Sequence, residues 1–327
     1  MLKVFNRNMI VQVLLAIAVL VALWLPAMLT SASMQNVDGA GVLYSMLYSW
    51  LGGSPGWAIA LSMVLVAAEG VALNLILASA GIVSQTSLMP TLLYIIAASA
   101  TSQPLSPIIL TNAALIVFVS QLMLHGMLLT VSTTKICSAT AMLGLCTMIY
   151  TPAVVFLLSY LLIVINYRLY NWRDWMALVL GFAAPYVLLV VVLYLGGGLG
   201  EWWEGISFPS LHNRLQTDTA TGAIANIAVV AVMLIALFSL LSRMGETPVI
   251  WQKNSTTVLL LVVGGLALLP LTRLFPIDTA VFAIPFALCG NHLLLPATGH
   301  SAHTSHRTKQ WVRETLFIVL IAASLIC

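Results

Sequence analysis

A single acid in a polar connection between apolar runs, with arginines in later connections, can take a proton from a hydroxyl while the guanidinium groups hold a phosphate. The acid is Asp38, in the connection from Thr30 to Pro55, and the arginines are Arg214 and Arg273. Arg214 lies in the stretch from Gly196 to Thr219 with Glu201, Glu204, His212 and Asp218, behind a Gly-Gly-Gly turn. Arg273 shares the short corner Arg-Leu-Phe-Pro-Ile-Asp with Asp278. Together these groups would form a general base beside phosphate-holding cations at the level of a lipid headgroup. The plainer reading is loop polarity at a water interface.

Glu69 is a different kind of acid, because it stands in the middle of the apolar run Val66-Ala67-Ala68-Glu69-Gly70-Val71-Ala72-Leu73-Asn74. A charged side chain at the centre of a membrane helix costs about 2.5 to 3.5 kcal/mol on insertion scales. Glu69 is therefore expected to face the bundle interior, to line water, or to carry a proton, and a structural hydrogen bond to a neighbouring helix serves as well as a proton-coupled step. Asn74, Asn112 and Gln121 are expected to bond between helices on the same logic, each worth only about 1 kcal/mol.

Other constellations carry little. His300, His303 and His306 follow Gly299 in a polar loop without a nearby carboxylate or thiol, so a solvated loop is expected and no metal site. Cys137, Cys146, Cys289 and Cys327 lack metal-ligand spacing and read as small core residues. No phosphate-cradling Walker loop, dinucleotide fingerprint or zincin motif is present. Nothing here points to nucleic acid.

The elements that must position these residues are membrane helices. Of the 327 residues 61% are apolar and 6% charged, with a mean hydropathy of +1.07, whereas soluble domains carry about a quarter charged residues. The runs are long enough to cross ~30 Å of hydrocarbon as helices, and a barrel would show alternating segments of ~10 residues instead. The expected fold is all-α: a polytopic transmembrane bundle forming a single membrane domain over 1–327, without a soluble domain. Candidate spans are 9 to 30, 56 to 80, 88 to 101, 105 to 129, 137 to 150, 152 to 167, 175 to 196, 220 to 242, 256 to 272, 279 to 297 and 315 to 327. That makes about eleven apolar segments, of which nine to eleven would span. The runs 88 to 101 and 137 to 150 are short and abut Pro104 and Pro152, so they read as half-helices, and 315 to 327 is short as well. The run from Met9 to Leu29 is too long for a signal peptide and is expected to be the first span.

An N-terminus in the cytoplasm puts ten of the twelve Lys and Arg residues on the inner side and leaves only Arg214 and Arg273 outside. The outer loops are then about 31–55 and 197–219. Trp50, Trp57, Trp172, Trp175, Trp202, Trp203, Trp251 and Trp311 fall near predicted span ends, where amphipathic rings favour the headgroup layer. Within the first outer loop, Val42 to Trp50 is expected to form a short amphipathic helix lying in the interface.

The stretches Ile149-Tyr150-Thr151-Pro152-Ala153, Tyr170-Asn171-Trp172-Arg173-Asp174-Trp175 and Gly181-Phe182-Ala183-Ala184-Pro185-Tyr186, with Ala72-Leu73-Asn74 and Met89-Pro90-Thr91-Leu92-Leu93-Tyr94, resemble an uncharacterised family of multi-pass inner-membrane proteins of Bacteroidota. The likeness covers roughly residues 1 to 200 and implies a bacterial inner membrane and a topology, without an activity. The layout of a first span, an outer loop with an acid, an interfacial helix and a second span is similar to polytopic C-type glycosyltransferases, which draw on polyprenyl-phosphate-linked sugars. That resemblance implies Asp38 as catalytic base, Arg214 or Arg273 on the donor phosphate, and a divalent cation as a candidate cofactor. Asp38 stands alone where those enzymes often carry two acids, and the later loops are short. Two other functions compete: a non-catalytic scaffold for membrane-protein partners in envelope biogenesis, and a proton-coupled transporter working through Glu69.

Overall fold

The computed structural model describes residues 9–29, 40–51, 55–80, 87–99, 104–124, 133–166 and 171–196, with short pieces at 238, 256–264, 283–284 and 287–288. The described chain is all-helical: α1 (Met9–Leu29), α2 (Val42–Leu51), α3 (Pro55–Ser79), α4 (Met89–Ser99), α5 (Pro107–Leu124), α6 (Thr133–Ile149), a 3₁₀ turn (Thr151–Val154), α7 (Val155–Asn166) and α8 (Trp172–Leu195). Three of them, within α1, α3 and α8, are long and apolar enough to cross a membrane, while α4 to α7 are shorter. A bilayer is the environment these surfaces fit, because α1 and α8 leave whole rows of Leu, Ile and Val exposed, which water would penalise.

Pairs of helix ends fix the direction of each helix. The Leu88 N–H, just ahead of α4, donates to Gln12 Oε1 near the start of α1 at 2.8 Å, and Trp24 Nε1 near the end of α1 donates to Ser99 Oγ at 3.0 Å. Helices α1 and α4 are therefore parallel. The Leu105 N–H, ahead of α5, donates to Ser62 Oγ in the first part of α3, and the N-terminal turns of α6 and α8 meet where Thr133 Oγ1 donates to Asp174 Oδ1 at 3.3 Å. The bundle thus alternates up and down. One end holds the starts of α1, α4, α6 and α8 together with Lys135 and Arg173; the other holds α2, the starts of α3 and α5, and the 3₁₀ turn.

Sequence-based boundaries and observed ones agree closely for the first, second, fourth and seventh runs. Helix α6 differs. It begins at Thr133 instead of 137, so Lys135 belongs to its first turn and the helix rises roughly 25 Å, still among the shorter apolar helices. Its opening residues Thr133, Thr134 and Lys135 are polar, and a hydropathy reading drops such residues although a helix readily starts on them. Helix α4 is as short as expected, 11 residues, and every one of them is buried.

The turn between α4 and α5 puts Leu105 at a φ of 50°, a left-handed conformation uncommon for a residue with a side chain. Ser62 holds it there: its Oγ accepts from the Leu105 N–H at 2.5 Å and donates to the Ala58 carbonyl at 2.6 Å. Ser62→Ala leaves a buried N–H without a partner and is expected to lower stability by about 1–3 kcal/mol, measured by denaturant or thermal unfolding in detergent micelles.

Tightest packing occurs between α6 and α8. A Cβ on Gly144 would stand 2.7 Å from the Phe182 carbonyl oxygen, and one on Gly181 would overlap Thr140 Oγ1 and crowd the Cys137 backbone. Small residues on both helices let the backbones approach, as they commonly do in lipid. Across the same interface the Tyr186 hydroxyl donates to Thr147 Oγ1 at 2.7 Å.

Candidate functional site

Two features of the described bundle can bear on function, one at the α2 end and one in the interior. At the α2 end, the Gly41 N–H donates to the Ile149 carbonyl at 2.8 Å and Ala40 forms an isolated antiparallel bridge with Tyr150. The segment leading into α2 is thereby tied to the junction of α6 and the 3₁₀ turn. Only glycine fits at 41, because a Cβ would overlap the Met148 carbonyl. The Gly41 carbonyl then accepts from the Ser45 N–H at 3.0 Å and starts α2.

Helix α2 is the expected amphipathic element. Tyr44 is buried with Ala58 and Leu105, while Val42 and Leu43 pack beside Met148, Leu189 and Leu193. On its other side Trp50 is 90% exposed, and Ser45 and Ser49 hydrogen-bond back to α2's own carbonyls. Such a helix, apolar beneath and wet above, suits a position across the end of the bundle. Trp57, Trp172 and Trp175 also lie exposed near helix ends, as the sequence predicts.

Beneath this junction lies a small cleft lined by Ile108, Thr111, Asn112, Leu115, Tyr150, Ala153 and Phe156, with room for about one water molecule. Asn112 connects it to the interior feature. The Asn112 side chain hydrogen-bonds the Tyr94 hydroxyl, which donates in turn to Glu69 Oε2 at 2.5 Å. Glu69 is 4% exposed, and its second oxygen, Oε1, is buried without a hydrogen-bond partner among the described residues. One residue on, the Gly70 carbonyl accepts from Thr91 Oγ1 at 3.1 Å, which clamps α3 against α4. Three helices thus contribute one polar chain, with Glu69 from α3, Tyr94 from α4 and Asn112 from α5.

Of the residues singled out by sequence, Glu69 is buried on α3, and Asn112 on α5 hydrogen-bonds Tyr94 on α4. Asn74 is buried on α3, but its Oδ1 has no partner among the described residues, and Gln121 is only half-buried on α5. Cys146 is buried and Cys137 half-buried, both free. Asp38, Arg214, Arg273, His212, Asp218 and Asp278 lie outside the described residues, as do His300, His303 and His306, the run 315 to 327 and all of the run 220 to 242 except Phe238. Among the described residues no cluster of three or more His, Cys, Asp and Glu side chains could hold a metal ion.

Sequence reasoning missed Tyr94. Its signal was present, since it is the lone ionisable side chain in an apolar run of 11 residues, but an acid draws attention and the hydroxyl that bonds it does not. No protein-family model, curated protein or solved structure matches the chain.

Proposed function

We propose that this chain is a multi-pass protein of the bacterial inner membrane that handles a polyprenyl-phosphate-linked sugar at the outer leaflet, with its N-terminus in the cytoplasm and with Asp38 as general base. The observation that carries this reading is the attachment of Ala40 and Gly41 to the Ile149–Tyr150 junction. Asp38 precedes Ala40 by two positions in the sequence, so the bridge anchors the chain immediately after it. A general base next to an amphipathic helix at the headgroup level would stand where the phosphate end of a membrane-anchored donor and a water-borne acceptor meet.

The reaction follows from those groups. A hydroxyl of the acceptor attacks the anomeric carbon of the sugar, and Asp38 takes the hydroxyl proton as the new carbon–oxygen bond forms. The bond from that carbon to the phosphate oxygen breaks, and its electron pair leaves with the polyprenyl phosphate. Arg214 or Arg273 offsets the charge gathering on the departing phosphate, a task a divalent cation can share. The resemblance in layout to C-type glycosyltransferases supports the same class, and the resemblance to the Bacteroidota family supports only the inner-membrane location.

The test is release of polyprenyl phosphate from a polyprenyl-phosphate-linked sugar by the full chain reconstituted in lipid nanodiscs, followed by mass spectrometry with and without added magnesium. Release that depends on protein and on an acceptor hydroxyl is expected. If the donor neither binds nor turns over, the transferase reading is lost and a scaffolding role in an envelope complex takes its place.

A further inference from the structure

The interior polar chain poses a charge problem that the described helices around it do not solve. Helices α1, α4 and α5 pack around α3, and none of these four elements carries a Lys, Arg or His. Their titratable side chains are Glu69 itself and Tyr94 on α4; α1 and α5 have none. The described cations, Lys135 and Arg173, sit in the first turns of α6 and α8 at one end of the bundle, whereas Glu69 lies roughly 21 Å and 15 Å of helix rise from the two ends of α3. A carboxylate buried in an apolar bundle without a counter-charge is among the costliest states a side chain can adopt. One positive charge beside it removes that cost.

The local donors suit a small hard cation. Glu69 offers Oε1, which has no other partner, and Oε2, already aligned by the Tyr94 hydroxyl. The Tyr94 oxygen, Thr91 Oγ1 and the Gly70 carbonyl are further oxygens on the same α3–α4 seam. All are hard ligands, and no thiol or imidazole is present on these helices to attract a transition metal. One carboxylate matches one positive charge; a divalent ion would leave a net charge in the apolar interior. Asn112, which both bonds Tyr94 and lines the cleft, joins the seam to a space large enough for about one water.

We propose that Glu69, Tyr94 and Asn112 form a site for one monovalent cation, a proton or a sodium ion, in the interior of the bundle. The site is independent of the lipid-substrate reading, shares no residue with it, and makes the membrane ion gradient a source of coupling for whatever the bundle does. Tyr94 acts here as a positioning residue, fixing Glu69 Oε2 and leaving Oε1 for the ion.

The test uses the full chain in nanodiscs and an apolar carbodiimide, which modifies a buried carboxyl only when that carboxyl can supply a proton. Mass spectrometry reads the rate of adduct formation at Glu69 across a pH series, in sodium chloride and in potassium chloride. A proton site gives a rate that climbs about tenfold per pH unit of acidification above its midpoint, levels off below it, and ignores the choice of alkali ion. A sodium site gives the same climb in potassium and a slowing of about tenfold or more in sodium. Either outcome supports the site and identifies the ion. Glu69→Gln removes the adduct, and Tyr94→Phe, which keeps the ring, is expected to move the pH midpoint or the half-protecting sodium concentration with the melting transition retained. A labelling rate that is flat in pH and equal in both salts overturns the proposal, and so does a Glu69 that stays unlabelled in the folded protein at every pH.

Discussion

Asp38→Asn is expected to lower sugar transfer by about 10²–10⁴-fold, the range over which a positioned general base acts, with protein level and melting temperature unchanged. Asparagine keeps the size of the side chain and removes its ability to accept a full proton. The expected loss is therefore in turnover, while affinity for the lipid-linked donor is retained. Geometry supplies a second route to the same result. Gly41→Val pushes a branched side chain into the Met148 carbonyl, so the Ala40–Gly41 segment, which follows Asp38 in the sequence, must leave the Ile149–Tyr150 junction. Transfer should fall as far as with Asp38→Asn, while the contacts of α3 with α4 and α5 persist. Transfer rates with purified variants decide the matter: wild-type turnover in Asp38→Asn removes the base, and wild-type turnover in Gly41→Val removes the Ala40–Gly41 attachment as a requirement for transfer.

Gly181→Leu is expected to have the largest effect on the fold itself. The new side chain would occupy space held by Thr140 Oγ1 and the backbone of Cys137, both on the helix that α8 packs against most extensively. Rigid helical backbone cannot yield as a flexible side chain would, so α8 must move outward or rotate. Either movement pulls Tyr186 from Thr147 and Asp174 from Thr133. Overpacking alone costs roughly 1–3 kcal/mol, and the loss of interhelical bonds adds about 1 kcal/mol each. The measurement is unfolding of the purified chain in mild detergent, with Gly56→Leu as the control, since a Cβ there meets nothing. Equal stability of the two variants would contradict the close-packed seam.

How far the sequence reveals this molecule depends on what each signal measures. Long apolar runs declare themselves because lipid demands continuity, so α1, α3 and α8 were legible almost to the residue. Helix α2 was legible for another reason: Tyr44 and Leu47 fall on one face while Ser45 and Ser49 fall on the other. The start of α6 was misread because polar residues open it. In the candidate sites, Glu69 was conspicuous because it breaks an apolar run, whereas its partners Tyr94 and Asn112 are separated from it by whole helices and meet it only through packing. The Ala40–Tyr150 bridge left no trace in the sequence beyond a glycine at 41, one of 21 in the chain.

Helix α4 rises about 16 Å, half the thickness of the hydrocarbon layer, and shows no face to its surroundings. A segment of that kind has no resting place of its own while the ribosome is still extending the chain. It depends on α1 and α3 already being in the bilayer to accept its N-terminal end, through Gln12, and on α5 following to bring Asn112 to Tyr94. Biogenesis of the first five helices is therefore a concerted event, and a nascent chain released after Ser99 would present the quality-control proteases of the membrane with an unfinished bundle.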